Sequence, residues 1–484
     1  MFNKKIILKV IGSLLGIEAS FMFLCLIISV IYGEHDKLAF LLSMLITAGF
    51  GAALRFMGRQ AENTMGRRDA YLVVTLTWTL FTLFGTLPFL ISGYITDFTD
   101  AFFEMMSGFT TTGATVIDDV ECLPHGLLFW RSLSQWIGGL GIVFFTIALL
   151  PSLVGGSVRV FAAEATGPIK TKLHPRLSTS AKSIWMIYLL ITVACIVCLW
   201  LAGMNLFDSL NYSMSTAATG GFATQNSSIM KQPIVIEYII TFFCFVSGIN
   251  FTLLYTSTFG KKPKSLLQNS ECRFYFIIVA VFTLFIMYEL MFFRGYTLEH
   301  AFRSGLFQIV SFITTTGLFN DDAGKWPHVT WIVLAICMFI GACSGSTSGG
   351  FKCIRGVMVL KGVKNEFRQM LHPNAVLPLK IDGANVPQSK RVTLLAFLTV
   401  YLILFIICSF TITAAGVDST NAITITLSAL GNVGPTLGLE IGPTMSWSIL
   451  PDFAKWICSL LMLMGRLEIF TILVIFSPAF WKNV

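Results

Sequence analysis

The stretch FTTTGAT, Phe109 to Thr115, decides how this chain is read, because nearly the same string returns as SFITTTGLF around Gly317. Looser matches add AATG ending at Gly220 and GNVG ending at Gly434. The four glycines recur about every 100 residues, and recurrence at a near-constant spacing means one structural unit used four times. Each glycine follows a segment too short to cross a bilayer: DAFFEMMSGF, FDSLNYSMST, SGLFQIVSFI and TNAITITLSA. These segments read as re-entrant half-helices.

Composition sets the class. Of 484 residues, 55% are hydrophobic and 12% are charged, against about 25% charged in an ordinary soluble chain. Apolar runs of about 20 residues, the length that crosses a bilayer, occur at 6–32, 38–57, 70–93, 127–150, 184–203, 234–258, 274–294, 329–345, 392–415 and 452–478. The first is long and lacks a small-residue cleavage site, so it reads as a retained span and not a signal peptide. The expected fold is an all-α polytopic membrane protein. Two extra N-terminal transmembrane helices (1–69) precede four span–pore loop–span repeats, at 70–183, 184–273, 274–391 and 392–484, around a pseudo-fourfold pore.

Basic residues orient the chain. Lys4, Lys5 and Lys9, then Arg55, Arg59, Arg67 and Arg68, then Arg159, Lys170, Lys172, Arg176 and Lys182 mark alternate loops as cytoplasmic. Lys261, Lys262, Lys264 and Arg273 continue the pattern, followed by Lys352, Arg355, Lys361, Lys364, Arg368, Lys380, Lys390 and Arg391. Both termini fall on that side. Asp97, Asp100, Asp118, Asp119, Glu121, Asp321 and Asp322 put acid on the other face, where it would concentrate cations. The net charge of +8 therefore reflects topology and not nucleic-acid binding. Eight of eleven cysteines lie in or beside the spans, and Cys195 with Cys198 reads as core. An enzyme is not indicated: Glu18, Asp208, Glu237 and Glu289 are scattered, and the six histidines form no HExxH pair. No Walker A or GxGxxG fingerprint appears, so no nucleotide site is expected in this chain.

Irregular backbone at membrane depth is tolerated only where it is buried in protein or lines a water-filled cavity. Four such turns around one axis would present carbonyls in place of an ion's hydration shell. The candidate filter is Thr110, Thr111, Thr112 and Gly113, with Ala218, Thr219 and Gly220, then Thr314, Thr315, Thr316 and Gly317, and finally Asn432, Val433 and Gly434. Glycine supplies the backbone angles that such turns need. GACSGSTSGG, Gly341 to Gly350, should break a helix, since each glycine costs about 1 kcal/mol in a helix interior. It reads as a blocking loop beneath the filter, with Gly345, Ser346, Thr347, Ser348, Gly349 and Gly350 as gate residues. The competing reading is a small-residue helix-packing surface. Arg466, near the centre of the last run, must face water or a partner. Glu468, two positions on, would point away from it on a helix. Selective cation permeation follows, with a secondary carrier coupling the cation to protons or sodium as the alternative. The inverted repeats typical of many carriers are absent.

FWRSLSQWIGGLGI (Phe129 to Ile142), AEATGPIKTKLHPRLSTSAKSIWMIY (Ala163 to Tyr188), STAATGGFAT (Ser215 to Thr224), SGINF (Ser247 to Phe251), FIGACSGSTSGGFKCIR (Phe339 to Arg355) and GRLEIFT (Gly465 to Thr471) carry a family resemblance. Over essentially its whole length the chain resembles the Trk-type potassium uptake proteins, the TrkH/TrkG membrane subunits of a superfamily that includes KtrB and HKT. The two extra N-terminal spans favour this branch over KtrB. The resemblance implies potassium as the transported ion, uptake across the bacterial inner membrane, one pore per subunit, a homodimer, and regulation by a cytosolic nucleotide-binding ring, TrkA. It also implies that Gly349 and Gly350 lie on an intramembrane gating loop and that Arg466 sits in the pore lumen. The fourth turn departs from the pattern, with Gly431, Asn432 and Val433 where other copies carry Thr or Ala.

Overall fold

A computed structural model describes residues 2–61, 65–141, 177–260, 263–438 and 441–482. Helices Lys4–Tyr32 and Lys37–Met57 form an N-terminal pair, linked where Gly33 closes the first helix at φ 74°. Four copies of one motif follow: outer helix, buried pore helix, irregular turn, inner helix. The outer helices are Arg67–Gly85 with its continuation Leu87–Ser92, Leu177–Leu201, Ser270–Arg294 and Gln388–Ala414. The pore helices are Phe98–Phe109, Leu206–Ala218, Leu298–Ile313 and Ser419–Gly431. Among the described residues the strands amount to a small hairpin, Lys380–Ile381 against Ala384–Asn385, between the third and fourth copies.

The burial pattern inverts that of a soluble protein. Large apolar side chains such as Leu284, Phe292, Ile406 and Phe410 are exposed on the outer helices. Hydroxyls and small residues of the pore helices are buried instead: Ser107, Ser213, Ser215, Ser304, Ser311 and Ser428 all lie inside. This is the arrangement expected when lipid surrounds the molecule and a polar path runs through it. Among the described residues six helices are long and apolar enough to cross a membrane, or eight if each of two bent pairs is taken as one span. The chain is a mostly helical, polytopic membrane protein.

Among the described residues, four of the ten apolar runs are not continuous helices. The run at 234–258 is Ile234–Ser247 and Phe251–Thr258, bent by 100°, and that at 452–478 is Asp452–Arg466 and Ile469–Phe476, bent by 115°. The run at 329–345 is a short helix, His328–Ile340, followed by a loop and then helix Cys353–Leu371. Hydropathy averaged over a window cannot register a bend flanked by apolar residues on both sides. The local chemistry can: in SGIN, Gly248 closes one helix and the Asn250 side chain accepts from Leu253 N–H to open the next. The run at 127–150 begins as helix His125–Leu140 and leaves helical geometry at Gly141, φ 89°. Its remainder lies outside the described residues, as do Arg159, Lys170, Lys172, Arg176, Lys261 and Lys262.

Candidate ion pathway

All four pore helices start and stop by the same chemistry. Their N-caps are Asp97, Asn205, Thr297 and Asp418, and each side chain accepts from backbone N–H groups of its own first turn. Such a cap is worth about 1 kcal/mol. At the other end each helix closes with the same pair of hydrogen bonds, for example Thr111 N–H to Gly108 O at 3.0 Å and Thr112 N–H to Ser107 O at 2.9 Å. The same bonds recur at Thr219 and Gly220, Thr315 and Thr316, and Asn432 and Val433. This closure requires one left-handed residue. Thr111, Thr219, Thr315 and Asn432 occupy it, at φ 53°, 53°, 56° and 54°. A β-branched residue there is a strained outlier, whereas Asn is at home. The fourth turn, which departs from the threonine pattern, is therefore the relaxed member.

The glycine that ends each turn closes a ring. A Cβ on Gly113 would lie 2.2 Å from Gly220 O, one on Gly221 2.1 Å from Thr316 O, one on Gly317 2.2 Å from Val433 O, and one on Gly434 2.5 Å from Thr112 O. Each turn thus abuts the carbonyl of the next, first to second to third to fourth and back to first. The ring corrects the sequence reading in one place. The positive-φ glycine of the second turn is Gly221, at 87°, and not Gly220. Gly220 is glycine for another reason: a Cβ would strike the Gln135 amide at 2.4 Å. That amide donates to Gly220 O at 2.6 Å and accepts from Phe222 N–H at 3.2 Å.

One position on the pore helices steadies the chain beyond each turn. Glu104 accepts from the Thr115 hydroxyl at 2.9 Å and Val116 N–H at 3.0 Å, Tyr212 donates to Ser228 O at 2.7 Å, and Gln308 donates to Asp321 O at 3.0 Å. The fourth copy carries buried Ile425 instead. Arg131 from helix His125–Leu140, the first inner helix, is 2% exposed, pairs with Glu104 at 2.8 Å and lies over the Phe222 ring at 4.1 Å. Its NH1 group donates to Ala223 O at 3.2 Å, so it joins the first and second turns. Sequence reading missed Arg131 and Glu104, although a buried arginine and glutamate in apolar segments are a signal in themselves. Above the ring opens a vestibule bordered by Gly113, Gly221, Gly317 and Gly434 and by Asp118. Hydroxyls of Ser446 and Ser448 donate to the Asp118 carboxylate and hold it below the usual aspartate range. Several other outer acids, Asp97 and Asp418 among them, are committed to capping.

Below the ring the inner helices break: at Gly141, at Gly248, at Gly341, and at Leu467–Glu468, where Glu468 has φ 60°. Among the described residues the third break carries a long insertion. Its ends are stitched by Phe351 N–H to Phe339 O at 2.9 Å and Lys352 N–H to Ile340 O at 2.7 Å. Inside it, Gly349 N–H donates to the Thr315 hydroxyl at 2.7 Å, and a Cβ on Gly349 would lie 2.2 Å from Gly431 O. The Thr347 hydroxyl donates to Ala217 O at 3.1 Å. The segment therefore packs directly beneath the third, fourth and second turns. Gly345 and Gly350 both have φ 74°; Ser346 and Ser348 share a hydrogen bond at 2.8 Å.

Arg466 ends helix Asp452–Arg466 and is not mid-helix. Its guanidinium donates to Thr347 O at 2.7 Å and to Gly138 O at 2.6 Å, joining the loop to the first inner helix. The bend that follows makes a helical-wheel relation to Glu468 irrelevant. Glu468 instead pairs with Arg355, whose guanidinium covers the Phe397 ring at 3.9 Å. Thr110 and Thr314 each share a side-chain hydrogen bond of 2.8 Å with Thr112 and Thr316, while Ala218 is buried without that option. Every residue read from sequence as filter or gate thus lies in one of two adjoining layers.

A family model described as a cation transport protein, TrkH, matches residues 36–483. The Trk system potassium uptake protein TrkH of Halomonas elongata is 37% identical over 482 residues, and the TrkH of Escherichia coli K12 is 36% identical over 486, each alignment covering 99% of both chains. A crystal structure of the potassium transporter TrkH from Vibrio parahaemolyticus is similar at TM-score 0.89 and 34% identity, over 99% of each chain. With that likeness running end to end in sequence and in fold, the chain belongs to the TrkH family of cation transport proteins.

Proposed function

We propose that this protein takes up potassium through a channel-like filter made of its four glycine turns. The observation that supports the reading is the closed ring, in which each turn's glycine abuts the carbonyl of the next turn. A ring of fixed carbonyls supplies oxygen ligands without side-chain charge, the chemistry suited to a large monovalent cation. The pore helices end at the ring, so the negative ends of their dipoles favour a cation there. The names of the relatives point to potassium as that cation.

In this reading the Gly341 to Gly350 segment is the gate, with Gly345 to Gly350 beneath the filter and Arg466 holding Thr347 O. The protein works as a homodimer in the bacterial inner membrane, both termini cytoplasmic. A cytosolic nucleotide-binding ring docks on the basic loops and controls the gate, and this chain holds no nucleotide itself.

The filter is tested by Gly113→Ser, Gly221→Ser, Gly317→Ser and Gly434→Ser, each placing a Cβ where φ is positive and a carbonyl is within 2.5 Å. Potassium-to-sodium permeability, measured in reconstituted vesicles, falls in each. An unchanged ratio in all four rejects the filter.

A further inference from the structure

Helix Cys353–Leu371, which leaves the gate segment, has no side-chain cap of its own. At its N-terminus Cys353 N–H donates to Ala342 O at 2.9 Å and Arg355 N–H to Lys352 O at 3.0 Å, which leaves Ile354 N–H in need of an acceptor. Glu271, from the first turn of outer helix Ser270–Arg294 and 5% exposed, supplies it: its carboxylate accepts from Ile354 N–H at 3.1 Å. The same carboxylate accepts from Ser344 N–H at 2.6 Å and from the Ser344 hydroxyl at 3.1 Å. One side chain therefore grips the gate segment near its entrance and just past its exit.

The helix that carries Glu271 is itself held from outside. Asp382, at φ 47° in the turn of the hairpin Lys380–Ile381 and Ala384–Asn385, accepts from Ser270 N–H at 2.8 Å and from the Asn269 amide at 2.9 Å. The hairpin tip is exposed, while Leu379, Ile381 and Val386 anchor its base in the core. Lys361 donates to Lys380 O at 3.0 Å, tying the hairpin to the post-gate helix as well.

We infer that Asp382 and Glu271 form a two-carboxylate linkage that holds the gate segment in place, so that displacement of the exposed 380–385 hairpin loosens that segment. Asp382 is the outer positioning residue and Glu271 the inner one. The linkage rests on the gate reading above. Because the contacts lie in series, loss of either carboxylate releases the same segment, and loss of both adds little. The ring of turns is untouched by either change.

The test is potassium flux into vesicles holding the full chain, for Asp382→Ala, Asp382→Asn, Glu271→Gln and the double variant Asp382→Ala with Glu271→Gln. Each is also made in a chain lacking Gly345 to Ser348. Asp382→Ala and Glu271→Gln each raise flux several-fold with potassium-to-sodium selectivity kept, and the double variant does not exceed Glu271→Gln. Asp382→Asn, which retains an acceptor oxygen, stays nearer the parent. In the shortened chain, itself faster than the parent, none of the substitutions changes flux. Additive effects, effects that persist in the shortened chain, or parental flux in both single variants overturn the linkage. If Glu271→Gln does not fold, the exposed Asp382→Ala compared with Asp382→Asn decides the matter. A shortened chain that stays at parental flux overturns the gate reading and the linkage together. Raised flux on shortening beside silent Glu271 and Asp382 variants overturns the linkage alone.

Discussion

The ring of turns and the layer of breaks beneath it are built from the same four copies, yet they follow opposite rules. In the ring, all four copies adopt one backbone path: a left-handed residue, one more residue, then a glycine packed on the next copy. Side chains differ, since Thr, Thr, Thr and Asn fill the left-handed position, but the carbonyls fall in equivalent places. In the break layer the copies diverge. One ends at Gly141, one bends within three residues, one carries a long insertion, and one ends on Arg466. There the contacts are made by side chains: Arg466 to Thr347 O, Glu271 to Ser344 and Ile354, Arg355 to Glu468. A layer made from backbone tolerates sequence drift and keeps its symmetry. A layer made from side chains can be asymmetric, and asymmetry is what a single movable segment needs.

The contrast is sharpened most by Arg131→Met. It leaves Glu104 as an unpaired charge at 0% exposure, and a broken buried pair costs roughly 3–5 kcal/mol. Thermal unfolding in detergent should show a large loss of stability. The equivalent position in the fourth copy, Ile425, carries no charge, so Ile425→Val should cost only about 0.5–1.5 kcal/mol. Comparable losses would mean that the first turn is not specially held.

Next in size is the pair Gly221→Ala and Gly220→Ala. At Gly221 the added methyl meets Thr316 O at 2.1 Å in a left-handed backbone, whereas at Gly220 it meets the end of the Gln135 side chain. Backbone cannot yield without opening the ring, and a glutamine can swing aside at the expense of two hydrogen bonds. Potassium-to-sodium selectivity should fall by about tenfold or more at Gly221, the equivalent of about 1.4 kcal/mol, and less at Gly220. The reverse order would break the assignment of the ring register.

The smallest effect separates the two layers. Arg466→Met removes the ties to Thr347 O and Gly138 O but touches no ring atom. Potassium flux should rise a few-fold, at most about an order of magnitude, by release of the loop and removal of a positive charge near the path. The permeability ratio should stay put. A change of ratio with no change of flux would mean that the break layer takes part in selection.

Sequence alone determined the class, the fourfold repetition, the pore helices and the place of the glycine-rich break from Gly341 to Gly350. Each of these is local: apolar runs, half-length helices and glycine-rich breaks need only neighbours along the chain to be recognised. Tertiary structure decided what local patterns leave open. The register of the second turn depended on which of Gly220 and Gly221 meets a carbonyl from another copy, a contact made across about 100 residues of chain. The bends in the inner helices were hidden because apolar residues continue on both sides of each break. The contacts of Arg131, Glu104, Glu271 and Asp382 were hidden because the partners of each lie on other elements, far off along the chain. A chain specifies its own spans and turns by composition, but which carbonyl faces which glycine is settled only when the four copies close on one another.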